Sequence, residues 1–385
     1  MSSLRIQRIG TLSELDGLKE RWLALERLDG GPSIFQSWLW HRIWCDEVLP
    51  HRPHGRLDVR IIEDGAGRTL AILPLFTEWL AGPAAWVTQF LGHRMSFHND
   101  MLLAEPTNAE LARSVVQMLL SDLGPATVLH LRDLSAESLI TQSLLTRGDA
   151  EPQAPRLYLE ADPAITDQHL RFGPSRRKAI RKAERRLQAR WTMEFRVYTG
   201  TNIDKAFDEL INLHVKRFVS ERRATSLTGP NLAFLRSASV TLGRAGKIEV
   251  LQLLADGVTI AALLMAVDHG RYFAIQSGFD PEFAYFSPLV ILYTEAIRRG
   301  FEDLDCTDFD FGPGYGAYKY FWSPAVGTNY MCCRGGAGPY AKSLAALYRR
   351  AFRSRLPPVP NIRDEKVVPG GEERRKLPPI SSVAT

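Results

Sequence analysis

The first half of the chain alternates between helix-like and strand-like spacing of its hydrophobic residues. Apolar residues three and four positions apart predict an amphipathic helix over residues 15–28. Two strands over residues 57–63 and 69–76 flank a Gly-containing turn, which is typical of a hairpin. Helices over residues 108–123 and 136–146 bracket a further short strand. This half is therefore predicted to be a mixed α/β unit.

The second half shows the same two patterns more clearly. Tight Asp-Gly and His-Gly turns join three predicted strands over residues 248–255, 259–268 and 271–278. A helix follows over residues 288–299, with Ser287 as the predicted N-cap, a proline at the first helical position and a glycine as the stop signal. A strand over residues 304–311 and a short helix over residues 315–322 complete the predicted order.

Length and composition favour a globular protein of two domains with a tail. The chain has 385 residues, of which 45% are hydrophobic and 24% charged, as in ordinary folded proteins. We predict a first domain over residues 1–160 and a second over residues 161–345. Residues 346–385 are basic, become rich in proline and lose periodicity, so we expect a disordered tail there.

The few cysteines point to a reducing compartment. None of the four cysteines lies in a Cys-x-x-Cys pair, so we interpret all of them as reduced thiols. The chain shows neither a signal-peptide pattern nor 18 consecutive apolar residues, and we expect it in the cytoplasm. No metal site is predicted, because four histidines in loop-like stretches lack a ligand spacing and are read as surface or packing residues: His51, His54, His93 and His98.

The positive charge is concentrated in one segment. The net charge is +5, and residues 171–190 hold a dense group of lysines and arginines against the single acid Glu184. Apolar residues form one stripe beneath this charge, at Ile180, Ala183, Leu187 and Trp191. Residues 175–191 can therefore lie on an anionic membrane surface, follow an RNA backbone, or simply be solvated on one face. We expect no DNA partner.

Several short motifs occur in a recognisable order: SRRKAIRK at 175–182, LHVKR at 213–217, GFD at 278–280, FSP at 286–288, FDFGPG at 309–314 and Tyr318-Lys319. Together they resemble the FemAB-like acyltransferases of the GNAT superfamily. Among these enzymes, the motifs resemble in particular the branch of cellulose-biosynthesis acetyltransferases. The same group includes the bacterial ceramide synthases. The resemblance covers about residues 165–325. It implies an α/β fold of two tandem GNAT-like halves, each a twisted mixed sheet flanked by helices, with the active site mainly in the second half.

The resemblance also implies acyl-CoA as co-substrate, with no covalently bound cofactor. The thioester is expected between the strand over 271–278 and the strand over 304–311. Backbone N–H groups would polarise its carbonyl at Ile275, Gln276 and Ser277. The start of the helix would hold the pyrophosphate at Ser287, Leu289, Val290 and Ile291. Leu289 departs from the pattern, which has glycine at that position.

Five residues are candidates for catalysis. His214 on a helix is the best candidate for the base that deprotonates the amine, although a structural histidine fits the pattern about as well. Asp308 and Asp310 alternate with phenylalanines and so share one face of their strand, where either can orient the amine or form a salt bridge. Tyr318 can protonate the departing sulfur. Lys319 can pair with Asp310, bind a phosphate or be solvated.

Three functions remain open from the sequence. The first is an acyl-CoA-dependent N-acyltransferase acting on a primary amine, best a sphingoid base or other lipid amine, with the protein peripheral on the inner membrane. An acetyltransferase of polysaccharide or cellulose biosynthesis, with a sugar amine as acceptor, is an alternative form of this first function. The second is a Fem-type transferase that uses aminoacyl-tRNA. The third is a non-catalytic accessory protein for polysaccharide export.

Overall fold

The computed structural model describes residues 4–28, 33–80, 84–165, 167–313, 316–322 and 324–353. The strands of the first half are β1 (Arg5–Ile9), β2 (Gly55–Leu57), β3 (Val59–Glu63), β4 (Thr69–Leu73), β5 (Leu75–Leu80), β6 (Ala85–Phe90), β7 (Leu102–Leu103), β8 (Thr127–Ser135) and β9 (Ala150–Glu160). Its helices are α1 (Leu12–Gly17), α2 (Lys19–Glu26), α3 (Trp38–Glu47), α4 (Ala109–Ser121) and α5 (Leu139–Thr146).

The second half begins with the basic helix. Its helices are α6 (Pro174–Gln188), α7 (Ile203–Ser220), α8 (Gly229–Arg244), α9 (Pro288–Arg298) and α10 (Pro339–Arg353). Its strands are β10 (Met193–Tyr198), β11 (Ile248–Ala255), β12 (Val258–Asp268), β13 (Arg271–Phe279), β14 (Asp308–Pro313) and β15 (Ala325–Gly335). The predicted meander is confirmed, because β11, β12 and β13 pair antiparallel in sequence order.

One sheet of eleven strands runs through both halves. Its order is β10-β11-β12-β13-β14-β9-β15-β8-β6-β5-β2, and a separate sheet of four strands has the order β1-β3-β4-β7. The pairs β13–β14 and β6–β8 are parallel, so the large sheet is mixed. The predicted α/β class, with mixed sheets flanked by helices, is confirmed.

The two halves exchange strands at the centre of the large sheet. Strand β9 of the first half lies between β14 and β15, and β15 of the second half lies between β9 and β8. Asn329 on β15 pairs with Ser135 on one side and with Ala154 on the other. Neither half therefore completes its part of the sheet with its own residues.

The hydrophobic core is shared as well. Aromatic rings of the first half contact rings of the second: Phe35 lies 5.4 Å from Phe273 and Trp40 lies 4.8 Å from Phe234, between ring centroids. Helices α6 and α9 pack on the opposite side, in a cluster that includes the buried residues Ile180, Leu187, Ile291 and Tyr293. The apolar stripe predicted for the basic helix is thus its buried side.

Some predicted elements differ from the structure for local reasons. The predicted helix over residues 15–28 divides at Leu18 into α1 and α2. The strand predicted over residues 69–76 is interrupted at Pro74, which has no N–H to donate, so β4 and β5 belong to different sheets. Strand β14 starts at Asp308 rather than at residue 304, because a π-helical turn, Arg299–Asp303, follows α9.

Other differences concern the second half and the tail. The predicted helix over residues 315–322 is a 3-10 helix, Ala317–Trp322. Helix α10 continues to Arg353, past the predicted start of the tail at residue 346. The rest of that tail, residues 354–385, and Gly314 of the FDFGPG motif lie outside the described residues.

Within the described ranges, no helix combines the length and the apolar character needed to cross a membrane. The same ranges contain no cluster of three or more His, Cys, Asp or Glu side chains arranged to hold a metal ion. All four cysteines are free and buried.

Candidate active site

The parallel strands β13 and β14 separate along their length and open a cavity between them. They pair over residues 271–273 and 308–310 and then diverge. A cavity of about 700 Å³ fills the gap, and we call it the wedge cavity. Its walls come from β13 at residues 274–277, from β14 at residues 311–313 and from Tyr293, Tyr318 and Lys319. The structure therefore brings Ile275, Gln276, Ser277, Tyr318 and Lys319 together, all of which the sequence analysis selected.

A β-bulge on β13 faces the wedge cavity. Leu264 on β12 pairs with Gln276, and the next residue, Met265, pairs with Ala274, so Ile275 is the extra residue. Because the parallel pairing with β14 already ends at Phe273, Ile275 has no ladder partner on either neighbouring strand among the described residues. Bulges of this kind redirect backbone groups and are frequent next to active sites. Backbone N–H groups at the bulge can thus serve a ligand in the wedge cavity.

Asp310 bends β14 away from β13. One carboxylate oxygen, Oδ1, accepts a hydrogen bond of 2.7 Å from the backbone N–H of Gly312. Gly312 has φ 74°, in the left-handed region that glycine adopts without strain. This local bond turns the strand after Phe311 and opens the wedge cavity. Asp310 is 0% exposed. It lies where β13 and β14 begin to diverge and is not among the residues that line the wedge cavity.

The other oxygen of Asp310 joins the two halves of the chain. Oδ2 lies 2.9 Å from His98 Nε2 and accepts a bond of 2.7 Å from Arg156 Nε. Burial alone would raise the pKa of Asp310, but the charges and hydrogen bonds of His98 and Arg156 outweigh it and hold the pKa well below the usual value. Asp310 is therefore ionised at neutral pH.

Arg156 on β9 connects three carboxylates. Besides Asp310, it donates to Asp308 Oδ2 at 3.1 Å and to Glu137 Oε1 at 3.1 Å. Arg271 on β13 contacts the same two, with 3.2 Å to Asp308 and 3.0 Å to Glu137. Burial raises the pKa of Asp308, and the nearby arginines only partly oppose this shift. Asp308 and Asp310 share a face as the alternation predicts, but this face meets Arg156 and not the wedge cavity.

Lys319 is a buried cation in the wall of the wedge cavity. Its side chain is held by two hydrogen bonds of 2.8 Å from Nζ to the backbone oxygens of Gly312 and Pro313. Only 6% of the residue is exposed, and this burial lowers its pKa to about 8, against an opposing effect of Asp310. Lys319 is therefore mostly charged at neutral pH and close to the point at which it loses its proton.

Tyr318 belongs to a hydrogen-bonded group of side chains around the same cavity. Its phenol bonds to Tyr293, and Tyr293 also bonds to the Ser277 side chain. Burial raises the pKa of Tyr318. The phenol thus keeps its proton at neutral pH and can donate it within the wedge cavity.

His214 lies beside a second, adjoining cavity. This cavity of about 390 Å³, which we call the side cavity, is formed by the end of α7, residues 223–227, β13 and residues 94–97 of the first half. His214 Nε2 lies 2.8 Å from the hydroxyl oxygen of Thr225, and Nδ1 lies 2.6 Å from the side-chain amide of Gln276. Burial lowers the pKa of His214. The imidazole is therefore neutral at pH 7.

A glycine allows His214 to come this close to β13. A Cβ atom on Gly278 would lie 2.6 Å from the backbone N of His214 and 2.8 Å from the backbone O of Leu210. Only a residue without a side chain permits this approach of α7 to the sheet. The close packing of α7 against β13 thus explains the glycine of the GFD motif.

The predicted pyrophosphate site at the start of α9 has a different setting. Ser287 adopts a left-handed backbone, φ 54° and ψ 52°, rather than the extended conformation usual for an N-cap. Val290 and Ile291 are buried in the apolar cluster, and Leu289 packs against it. Among the described residues that line the wedge cavity, none comes from residues 287–291.

Two residues of the buried ion pairs around Asp310 were missed by the sequence analysis. His98 is read there as a surface or packing residue, but it is buried against Asp310 and has φ 52°. Arg156 is not selected at all. No local signal marks either residue, because each acquires its role from its contact with Asp310. The sequence separation is 212 residues for His98 and 154 for Arg156.

Comparisons with known proteins agree with this architecture. Residues 174–320 match the family described as acetyltransferase (GNAT) domain. The crystal structure of FemX superposes with a TM-score of 0.57 at 10% identity, over 90% of this chain and 100% of FemX. L-PGS from Bacillus licheniformis gives a TM-score of 0.51 at 12% identity, over 90% of this chain and 98% of that one.

A third structure is the C-terminal domain of an Agrobacterium fabrum protein described as a lysylphosphatidylglycerol synthetase. It gives a TM-score of 0.53 at 14% identity, over 89% of this chain and 96% of that one. None of the curated proteins matches the sequence. At these identities the structural likeness shows the fold alone, whereas the family match spans every described residue that lines the wedge cavity except Phe97. Residues 174–320, in the second half of the chain, are thus similar to a GNAT acetyltransferase domain.

Proposed function

We propose that the protein is an N-acyltransferase that moves an acyl group from an acyl-CoA thioester to a primary amine. The observation that carries the proposal is the wedge cavity, where the bulge at Ile275 and the buried cation of Lys319 face the same space. A thioester carbonyl held there would meet backbone N–H groups on one side and a positive charge on the other. Both stabilise the negative charge that develops on the oxygen during acyl transfer.

The remaining steps of the reaction fall to His214 and Tyr318. The amine nitrogen forms a bond to the carbonyl carbon as the carbon–sulfur bond breaks. His214, neutral at pH 7, accepts at Nε2 the proton that the amine loses, and the hydroxyl of Thr225, 2.8 Å from Nε2, passes this proton on. Tyr318 donates a proton to the departing thiolate, and its bond to Tyr293 orients the phenol. Asp308 and Asp310 act as positioning residues that keep the wedge cavity open.

Transfer from acyl-CoA is tested directly with the purified protein. We expect free thiol to be released from acetyl- or palmitoyl-CoA only when an amine is present, together with an amide product of matching mass. Transfer from aminoacyl-tRNA and not from acyl-CoA would instead identify a Fem-type enzyme, for which the basic face of α6 suits an RNA backbone. Absence of transfer from both donors would favour the accessory-protein function.

For the acceptor, we propose a lipid amine, with a sphingoid base as the first compound to test and an amino sugar as the second. The support is the surface of α6, which would place the protein on the cytoplasmic face of the inner membrane. Lys178, Arg181, Lys182 and Arg185 are exposed on this helix. Next to it, Tyr285 is 55% exposed with the Arg186 guanidinium 4.7 Å from its ring. Cations beside an exposed aromatic ring are suited to an anionic lipid surface.

Membrane binding is tested by charge reversal on α6. The double variant Arg181→Glu with Arg185→Glu is expected to bind anionic vesicles about thirtyfold more weakly than the parent, since each basic residue near such a surface contributes about 1 kcal/mol. The matched control reverses two exposed arginines of the first half, Arg68→Glu and Arg113→Glu, with the same change in net charge. Equal sedimentation of the two double variants with vesicles would remove α6 as the contact.

A further inference from the structure

The side cavity adjoins the wedge cavity and shares part of its wall. Five residues line both: Phe97, Phe218, Arg223, Ile275 and Gln276. The bulged residue Ile275 therefore separates the two spaces, and His214 lies on the wall of the side cavity. A molecule bound in the side cavity would have its amine next to His214 and next to the carbonyl position of the wedge cavity. This is the position of an acceptor, not of a donor.

The charges around the side cavity favour an anion. Arg94 comes from the first half and Arg223 from the second, and the described residues that line this cavity include no Asp or Glu. The wedge cavity adds Arg217 and Lys319 against the single carboxylate of Glu221. An acceptor with an ammonium group alone would find no counter-charge in the side cavity. One that also carries a negative group would meet two guanidinium groups, which recognise phosphate and carboxylate well.

The two arginines are positioned by the surrounding structure. The Arg223 guanidinium lies 4.8 Å from the ring centre of Phe218 and bonds to Glu221 at 3.0 Å, with 59% of its side chain exposed. Arg94 has φ 68° in a turn that is closed by a 2.8 Å bond from Met95 N to Gly92 O. Side chains from both halves thus converge on one space, and the site requires both halves to be assembled.

We propose that the side cavity binds the acceptor amine and that this acceptor carries a phosphate or carboxylate group, which Arg94 and Arg223 bind. The inference rests on the proposed acyl transfer and narrows its acceptor. A plain sphingoid base has no such group, so its phosphate ester is expected to be the better acceptor. The same chemistry is present in soluble amines such as phosphoethanolamine.

The kinetic test compares amines that differ only in the anionic group. The pairs are ethanolamine and phosphoethanolamine, propylamine and β-alanine, glucosamine and glucosamine 6-phosphate, and sphinganine and sphinganine 1-phosphate. We expect kcat/KM to be at least about tenfold higher for the anionic member. A preference confined to the sphinganine pair assigns the site to a lipid acceptor, and one confined to the soluble pairs assigns it to a soluble acceptor. Equal kcat/KM within every pair would overturn the inference while leaving acyl transfer itself established.

The variant test uses Arg94→Gln combined with Arg223→Gln. This double variant should reduce the ratio of kcat/KM between the two members of a pair at least tenfold. The control is Arg222→Gln, an exposed neighbour that lines neither cavity. A ratio that survives in the double variant contradicts the assignment of these two arginines.

A binding measurement keeps the test independent of catalysis. Calorimetry without donor should show that phosphoethanolamine or sphinganine 1-phosphate binds to the parent, and that the same compound binds at least tenfold more weakly to the double variant. If no acyl transfer occurs with any amine but this difference is found, the anion site stands and the proposed function fails. No binding to the parent, or equal binding to both proteins, overturns the inference.

Discussion

Replacing Lys319 by Met is expected to lower kcat by about 100- to 1000-fold, the effect of removing one stabilising group from an oxyanion site. Met has a similar length and keeps the side-chain volume beside Gly312 and Pro313, while the change removes the charge together with the two hydrogen bonds of Nζ. Steady-state acyl transfer and a melting curve are measured for parent and variant. A structural role would lower activity only in proportion to the folded fraction.

The pH dependence identifies the charge as the cause. Because burial sets the pKa of Lys319 at about 8, the cation is present below that pH and lost above it. At saturating acceptor, kcat of the parent should therefore fall as the pH rises through about 8, and this decline should be absent in Lys319→Met. Lys342→Met on the exposed side of α10 is the control and should keep the parental profile. An unchanged decline in the Lys319 variant would assign it to another group.

Replacing Arg156 by Met is expected to lower the free energy of unfolding by about 3–5 kcal/mol at pH 7, the usual cost of removing one partner from a buried ion pair. Arg156 bonds to Asp310, Asp308 and Glu137, and its side chain is buried. Without it, Asp310 stays ionised and buried with only His98 beside Oδ2. Urea unfolding at equilibrium measures the change.

The pH dependence of the free energy of unfolding reports on Asp310. In the parent, the pKa of Asp310 is lowered by folding, so its contribution to stability is complete above the unfolded value of about 3.9 and is lost only at lower pH. Arg147→Met is the matched control, since its pair with Asp149 lies nearer the surface and should change stability by at most about 1 kcal/mol. A loss in Arg156→Met as small as that of the control would show that the network does not stabilise the fold.

Local patterns predicted much of the second half. Alternating apolar residues and Asp-Gly and His-Gly turns define β11, β12 and β13, and a proline followed by periodic apolar residues defines α9. The exchange of β9 and β15 could not be predicted in this way. Strand pairing over separations such as Asn329 with Ser135 leaves no trace in the period of either segment. Pattern reasoning identifies elements, whereas their order in a sheet depends on contacts between distant residues.

The site was predicted to a similar extent. The residues of the bulge and the pair Tyr318-Lys319 were selected because short motifs place them, and the structure groups them around one cavity. The orientation of the buried Asp310 carboxylate was not predictable, because it depends on which side chains contact it in the folded protein. Asp310 turns toward Arg156 and His98, both supplied by the first half, which periodicity around Asp310 does not reveal.

The exchanged strands also determine when the sheet can form during translation. Strand β9 lacks both of its neighbours, and β8 lacks one, until β14 and β15 have left the ribosome. An open strand edge pairs readily with other chains, and the nascent protein exposes such edges from the synthesis of β8 and β9 until that of β15. Closure then requires pairing over long separations, which slows folding. We therefore expect molecular chaperones to act on this chain mainly before residue 335, the end of β15, emerges, while the central edge is still open.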